Sequence, residues 1–159
     1  MITKPYPCRE FPVHLSLFFA CATLYVNCAD PLKNIRVVLT QTSHPGNIGA
    51  AARALKTMGL DTLALVRPRQ FPHPDAAARA AGALDVLQRA QVHDSLASAL
   101  EGCTLTVAAT SRQRELRHET MTVRAAAGAL VAQAASHPVA IVFGNEASGL
   151  SSAEASLCK

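Results

Sequence analysis

Tryptophan is absent from this chain, and only 4% of its residues are aromatic. Any core must therefore be packed from aliphatic side chains and alanine. There is no Cys-x-x-Cys pair. The five cysteines are odd in number, and Cys8, Cys21 and Cys28 all fall in the first 28 residues. That pattern speaks against a zinc site or a disulfide framework, so no metal and a reduced, cytoplasmic setting are expected. A Gly-x-Gly-x-x-Gly loop is missing too: "GNIG" supplies Gly46 and Gly49 alone. No acidic residue closes the next strand, where Val66 is followed by Arg67, so a nucleotide-binding oxidoreductase ranks far down. A long membrane span is lacking as well. "FPVHLSLFFACATLYVNCAD" is apolar and follows Lys4 and Arg9, as a signal-peptide h-region would, but His14 and Ser16 interrupt it. The alternative is an extension unrelated to the domain, for instance from an early translation start. The cytosolic character of the remaining chain favours that reading for residues 1–29, leaving residues 30–159 as the domain.

What is present suits one domain. The chain has 159 residues, half of them hydrophobic, and a net charge of +4, which permits an anionic partner without demanding one. Four apolar, β-branched runs read as buried strands: "NIRVVLT" at 34–40, "DTLALVRP" at 61–68, "TLTVAAT" at 104–110 and "PVAIVFG" at 138–144. Helical stretches separate them, over about 47–59, in "AAARAAGALDVLQRA" with a break at Gly82, in "DSLASALEGC" from an N-cap at Asp94, and in "TVRAAAGALVAQAAS". Strand and helix alternate, and the strands are continuous rather than alternating in polarity. Both features predict an α/β fold with a mostly parallel sheet covered by helices on both faces. Ligands of such sheets bind beyond the carboxyl ends of the strands. The loops at 41–47, 111–117 and 144–150 fall there.

Each loop has two readings. In "TSHPGNIGAAARALKTMGL", Asn47 is a suitable N-cap, and the amides of Ile48, Gly49 and Ala50 would point at a phosphate, with small residues leaving room for it. Ile48, Ala51, Ala52, Leu55 and Met58 follow the helical period and would face the sheet, with Arg53 and Lys56 on another face. The plain alternative is a capped amphipathic helix with a solvated basic side. The second loop carries Arg112, Arg114 and Arg117, either a solvated run or part of one anionic site shared with Arg53. In the third, "FGNEASGL", two glycines flank Glu146, as an ordinary turn or as a backbone-lined pocket for an adenosine-type ligand.

"SHPGNIGAAARALKTMGL" and "IVFGNEASGL" together resemble motifs one and two of the SpoU branch of the SPOUT methyltransferases. "AAGALDVL" and "ALEGCTLTVAATSRQR" extend the likeness, which runs from about Leu32 to the last residue and is strongest to the branch's tRNA enzymes acting on anticodon-loop nucleotide 32. The resemblance implies transfer of a methyl from S-adenosylmethionine to a ribose 2′-hydroxyl of tRNA. It implies a parallel α/β sheet with a C-terminal trefoil knot, working as a homodimer. Arg53 is then the catalytic residue, supported by Asn47, with Glu146 as a third member. Thr110, Ser111, Gly144, Asn145, Glu146 and Leu150 would meet the cofactor. His44, Arg53, Lys56, Arg112 and Arg114 would meet RNA. The sequence as given ends at "SSAEASLCK", before a third family motif of the type "SLNLA". An incomplete form, lacking one wall of the cofactor pocket, is therefore expected. The alternative function is a non-catalytic RNA-binding remnant of such an enzyme.

Overall fold

The computed structural model describes residues 30–110 and 120–159. A 3-10 turn, Pro31–Asn34, leads into β1 (Ile35–Thr40), followed by α1 (Pro45–Thr57) and β2 (Thr62–Val66). Then come α2 (Pro74–Ala80), α3 (Leu84–Arg89), β3 (Gln91–His93) and α4 (Leu96–Ala99). The remainder is β4 (Leu105–Ala109), α5 (Val123–Ala134), β5 (Val139–Phe143) and α6 (Ser152–Ser156). Among the described residues the sheet is five-stranded, in the order β3-β2-β1-β5-β4. Every pairing is parallel, as the continuous apolar runs predict.

Strand β1 is central, and its alternating side chains divide the core. Val37 packs with Ile48, Ala52 and Leu55 of α1, and with Leu63, Leu65, Ala76 and Val86, on one face. On the same face Ile35 and Val139 meet Leu130 and Ala134 of α5. Val38, Ala64, Val66, Ala140 and Val142 point the other way, to Leu96, Ala99 and Leu150. Fully burying residues such as Ile48, Leu63 and Leu65 contributes about 1.5–3 kcal/mol each.

The strand β3 escaped the sequence reading, because Gln91–His93 is short and largely exposed and is held by backbone pairing to β2. The chain does break before α3 as expected, with Ala81 at φ 32° and Gly82 at φ 85°. Helix α4 is capped by Ser95 rather than by Asp94: the Ser95 hydroxyl accepts from the Ser98 amide at 3.2 Å. Met58 does not face the sheet; it is 57% exposed. Among the described residues no helix is long and apolar enough to cross a membrane.

Candidate active site

Parallel pairing carries the carboxyl ends of β1 and β5 to one edge, where Leu39 lies beside Phe143. The loops after them, 41–44 and 144–151, therefore start side by side. Helix α1 begins directly after the first of them, at Pro45, two residues before the expected start. Proline suits that position because its missing N–H has no partner there anyway. His44, not Asn47, is the cap: its Nδ1 accepts from the Gly46 amide at 3.0 Å, and its carbonyl accepts from the Asn47 amide at 3.0 Å. Ile48, Gly49 and Ala50 come after the orphan first turn, so the helix ladder takes their amides. The expected phosphate cradle of these three amides is not formed.

The small residues serve helix packing instead. A Cβ on Gly49 would stand 2.1 Å from the Ala76 carbonyl oxygen, so α2 lies directly on this point of α1. A Cβ on Gly46 would meet the Arg79 side chain at 2.7 Å, which brings a cation from α2 against the first turn of α1. Arg79 was not among the expected residues.

Displaced from the cap, Asn47 turns its side chain to the second loop. Its Nδ2 donates to Glu146 Oε1 at 2.8 Å. The other carboxylate oxygen of Glu146 accepts from the Ser43 amide at 3.0 Å and the Ser43 hydroxyl at 2.7 Å. Partial burial would by itself raise this carboxyl. The bonds from Asn47 and from both Ser43 groups outweigh it and bring the pKa down to about 2. Glu146 is thus an anion at any physiological pH, and its oxygens are engaged in holding two loops together.

Asn145 makes the second link. Its Nδ2 donates to the Gln41 carbonyl at 2.7 Å, and its Oδ1 accepts from the amides of Ala147 at 2.9 Å and Ser148 at 3.2 Å. The loop is closed tightly: a Cβ on Gly144 would fall 2.2 Å from Gly149 C and Leu150 N. The bridge between Asn145 and Gly149, with Gly149 at φ 67°, completes the turn. Leu150 turns inward, 1% exposed, into the core with Val38 and Val142, so its side chain is not at the loop surface. Register also places Thr110 next to Gly144, because the preceding Ala109 and Phe143 are paired.

Of the expected cations, Lys56 is taken: its Nζ lies 2.6 Å from Asp85 of α3. It therefore does not extend a basic edge from Arg53. Arg53 is exposed, and its guanidinium makes no ion pair among the described residues. It sits six residues along α1 from Asn47, about 9 Å of helix rise and about 120° around the axis. Ser111, Arg112, Arg114 and Arg117 lie outside the described residues. Ser43 is the partner that sequence reasoning missed; its only signal was a hydroxyl residue just ahead of the first motif.

Beside this hub a wide apolar groove of about 660 Å³ runs between α1 and α5, with Asn47 and Glu146 at its polar end. Its floor includes Leu39 and Ile141, and its walls include Met58, Val131 and Phe143.

The two loops that the network ties together carry the two sequence motifs, and comparison with known proteins matches both. A tRNA (cytidine/uridine/adenosine-2′-O-)-methyltransferase, TrmJ, of Pseudomonas aeruginosa is 47% identical over 129 residues, covering 80% of this chain and 50% of that protein. The solved structure of TrmJ from Z. mobilis superposes with a TM-score of 0.74 at 38% identity, over 77% of this chain and 55% of that one. A probable methyltransferase from Bordetella pertussis does so at 0.73 and 46% identity, over 80% and 79%. The chain spans about half the length of the curated relatives it matches. The model of the SpoU rRNA methylase family matches residues 34–159, from the residue before β1 through both tied loops, and the chain belongs to that family.

Proposed function

We propose that this chain carries the catalytic domain of an S-adenosylmethionine-dependent RNA 2′-O-ribose methyltransferase. The proposed substrate is tRNA, and anticodon-loop nucleotide 32 is the favoured target. The observation that carries the reading is the network of Glu146, Asn47 and Ser43. It locks the two motif loops into one edge while leaving Arg53, on the same helix, without an ion-pair partner among the described residues. The relatives' methyltransferase names support the same reaction.

The loop at 144–150 fits the cofactor. It is compact, built of small residues, and rich in backbone polar groups beside Thr110. When bound there, S-adenosylmethionine supplies a methyl already activated on a sulfonium. The chain's own task is to align the ribose 2′-oxygen and manage its proton. Alignment draws on the roughly 7–11 kcal/mol that effective molarity makes available. The bound group would supply its methyl to the 2′-oxygen, and the displaced 2′-proton would pass to solvent water at this edge, where Arg53 and Glu146 are both exposed. An arginine, with a pKa above about 12, is a poor base. Arg53 instead stabilises the developing alkoxide and fixes a neighbouring phosphate. Asn47 and Glu146 are positioning residues, and Thr110, Ser111, Gly144 and Asn145 contact the cofactor.

The catalytic unit in this reading is residues 30–159, with residues 1–29 an extension; the family match, which begins at residue 34, supports that division. It acts in the cytoplasm as a homodimer, and the exposed apolar groove at Met58, Val131 and Phe143 supplies a face for self-association. Mass spectrometry of nucleosides from tRNA incubated with the protein and S-adenosylmethionine tests the reading. Ribose-methylated nucleosides that disappear in Arg53→Ala are expected. Salt-dependent tRNA binding with no methylated nucleoside would instead fit a non-catalytic RNA-binding role.

A further inference from the structure

A second cleft opens on the same sheet edge, on the side of β2. It has a volume of about 530 Å³ and is lined by Gln41, Ser43, Arg67, Arg69, Asn145 and Ser148, with Ala147. Its construction is unusual. Only three non-glycine residues among those described have positive φ, and two of them, Gln41 at 50° and Arg67 at 46°, are here. They come directly after Thr40 and Val66, which are register partners on neighbouring strands, so the same left-handed turn occurs twice side by side. Hydrogen bonds hold it: the Gln41 amide donates to the Val66 carbonyl at 2.8 Å, and the Arg67 amide donates to the His93 carbonyl at 3.0 Å. The Arg69 amide donates to the Thr42 carbonyl at 3.0 Å, which fixes the second arginine against the motif-one loop. Side chains rarely adopt such backbone angles without a reason, and residues held there concentrate at functional sites.

Charge placement adds an independent argument. The ion pairs involving Lys33, Lys56 and Arg89 all go to Asp61 and Asp85. Arg36 is bound to the carbonyls of Ala99 and Glu101. Neither Arg67 nor Arg69 has an acidic partner among the described residues. The acids on their edge are otherwise committed: Glu146 to Ser43 and Asn47, Glu154 to Ser151 and Gln41, and Asp75 to His73. Asp94, directly after β3, forms no ion pair with either arginine. Two exposed arginines without an acidic partner among the described residues therefore line one cleft. A pair of guanidiniums suits a phosphodiester, which takes forked N–H bonds from arginine.

We propose that this cleft is a phosphodiester site, formed by Arg67 and Arg69, that holds the backbone of the RNA substrate one strand away from the Glu146 hub. The proposal rests on the reading of the chain as an RNA methyltransferase. The test is fluorescence anisotropy with labelled tRNA over a salt series, on the parent, Arg67→Gln, Arg69→Gln and the control Arg89→Gln at the opposite edge. Each cleft variant should bind about 3–10-fold more weakly at low salt, and its salt slope should shrink by about 0.7–0.9, the loss of one phosphate contact. Arg69→Lys should restore the slope and only part of the affinity, because an ammonium keeps the charge without the fork. Parent-like binding by both cleft variants would overturn the site and leave the RNA reading standing. An equal loss in Arg89→Gln would also overturn it, as an effect of net charge. Loss of S-adenosylmethionine affinity with tRNA binding intact would overturn it in favour of the cofactor's carboxylate. A parent that shows no salt-dependent tRNA binding would overturn both the site and the reading beneath it.

Discussion

Replacing Glu146 by Gln keeps the shape of the hub and removes its charge. The carboxylate accepts from Asn47 Nδ2, the Ser43 amide and the Ser43 hydroxyl. In the variant one oxygen becomes an amide NH₂ and faces a donor, either Asn47 Nδ2 or the Ser43 amide. The carboxyl sits at about 2 instead of its ordinary 4.5, a shift worth about 3 kcal/mol in gross interaction. Glu146 is an exposed residue, so water screens much of that, and about 1–2 kcal/mol of lost stability is expected. For a domain of this size the melting temperature should fall by about 3–10 °C at neutral pH. The pH dependence gives a sharper test. A carboxyl whose folded pKa lies below its unfolded value contributes fully above about 4.5, and that contribution disappears as pH falls towards about 2. Parent and variant should therefore converge as pH falls from 4.5 to 2. Other carboxylates lowered in the fold, Asp61 and Asp85, titrate in both proteins and cancel in the difference. Thermal melts followed by circular dichroism across that range measure it. A variant that melts within a degree of the parent at pH 7, with the two curves parallel down to pH 2.5, would refute the hub.

Gly49→Ala should be far more damaging than a one-methyl change suggests, because its Cβ would stand 2.1 Å from the Ala76 carbonyl oxygen and α2 must shift. A loss of about 2–4 kcal/mol in a denaturant titration is expected. Lys56→Met should leave the salt slope of tRNA binding unchanged in the same anisotropy assay, since Lys56 is held by Asp85 at 2.6 Å and not by phosphate; a slope shallower by one contact would return Lys56 to the RNA edge.

The longer strands were legible because burial on both faces demands unbroken apolar runs, and "NIRVVLT" or "PVAIVFG" admits few other readings. The strand at Gln91–His93 was not, because three mostly exposed residues paired through their backbone leave no pattern in side-chain polarity. The start of α1 was misplaced for a chemical reason. Asparagine is among the strongest caps and histidine is not, so "HPGN" directs attention to Asn47. Histidine's Nδ1 can nevertheless accept from the amide two residues on, and the same device recurs where His73 caps α2. The glycine of "GNIG" was recognised as a point of close approach, but a sequence does not say what approaches; here it is α2. Glu146 was identified, while its three donors come from residues about a hundred positions away that only strand order brings near. Arg67 fell inside the strand read at 61–68 and Arg69 just past its end, and nothing local shows that β2 ends beside β1 in matching backbone turns.

Motif one divides its labour between two residues of α1, and the division can be measured. Asn47 is wired into the frame: its amide donates to an ionised carboxylate at 2.8 Å. Hydrogen bonds to charged groups contribute about 1.5–3 kcal/mol, so Asn47→Ala should cost about 1–2 kcal/mol after allowance for exposure. Arg53 carries no such duty. It is exposed and without an ion pair among the described residues, and alanine is at least as good a helix former. Arg53→Ala should therefore stay within about 0.5 kcal/mol of the parent. Coupling to the hub separates the two further. Asn47→Ala combined with Glu146→Gln should cost less than the two single changes together, by about 1 kcal/mol, because Asn47→Ala deletes the bond that Glu146→Gln strips of its charge or breaks. Arg53→Ala combined with Glu146→Gln should be additive within about 0.5 kcal/mol. Urea titrations of the four proteins in each cycle provide the numbers. If Arg53→Ala destabilised the domain as much as Asn47→Ala, or coupled to Glu146 as strongly, Arg53 would be a structural member of the hub, and the proposal that it is held in reserve for the substrate would fall.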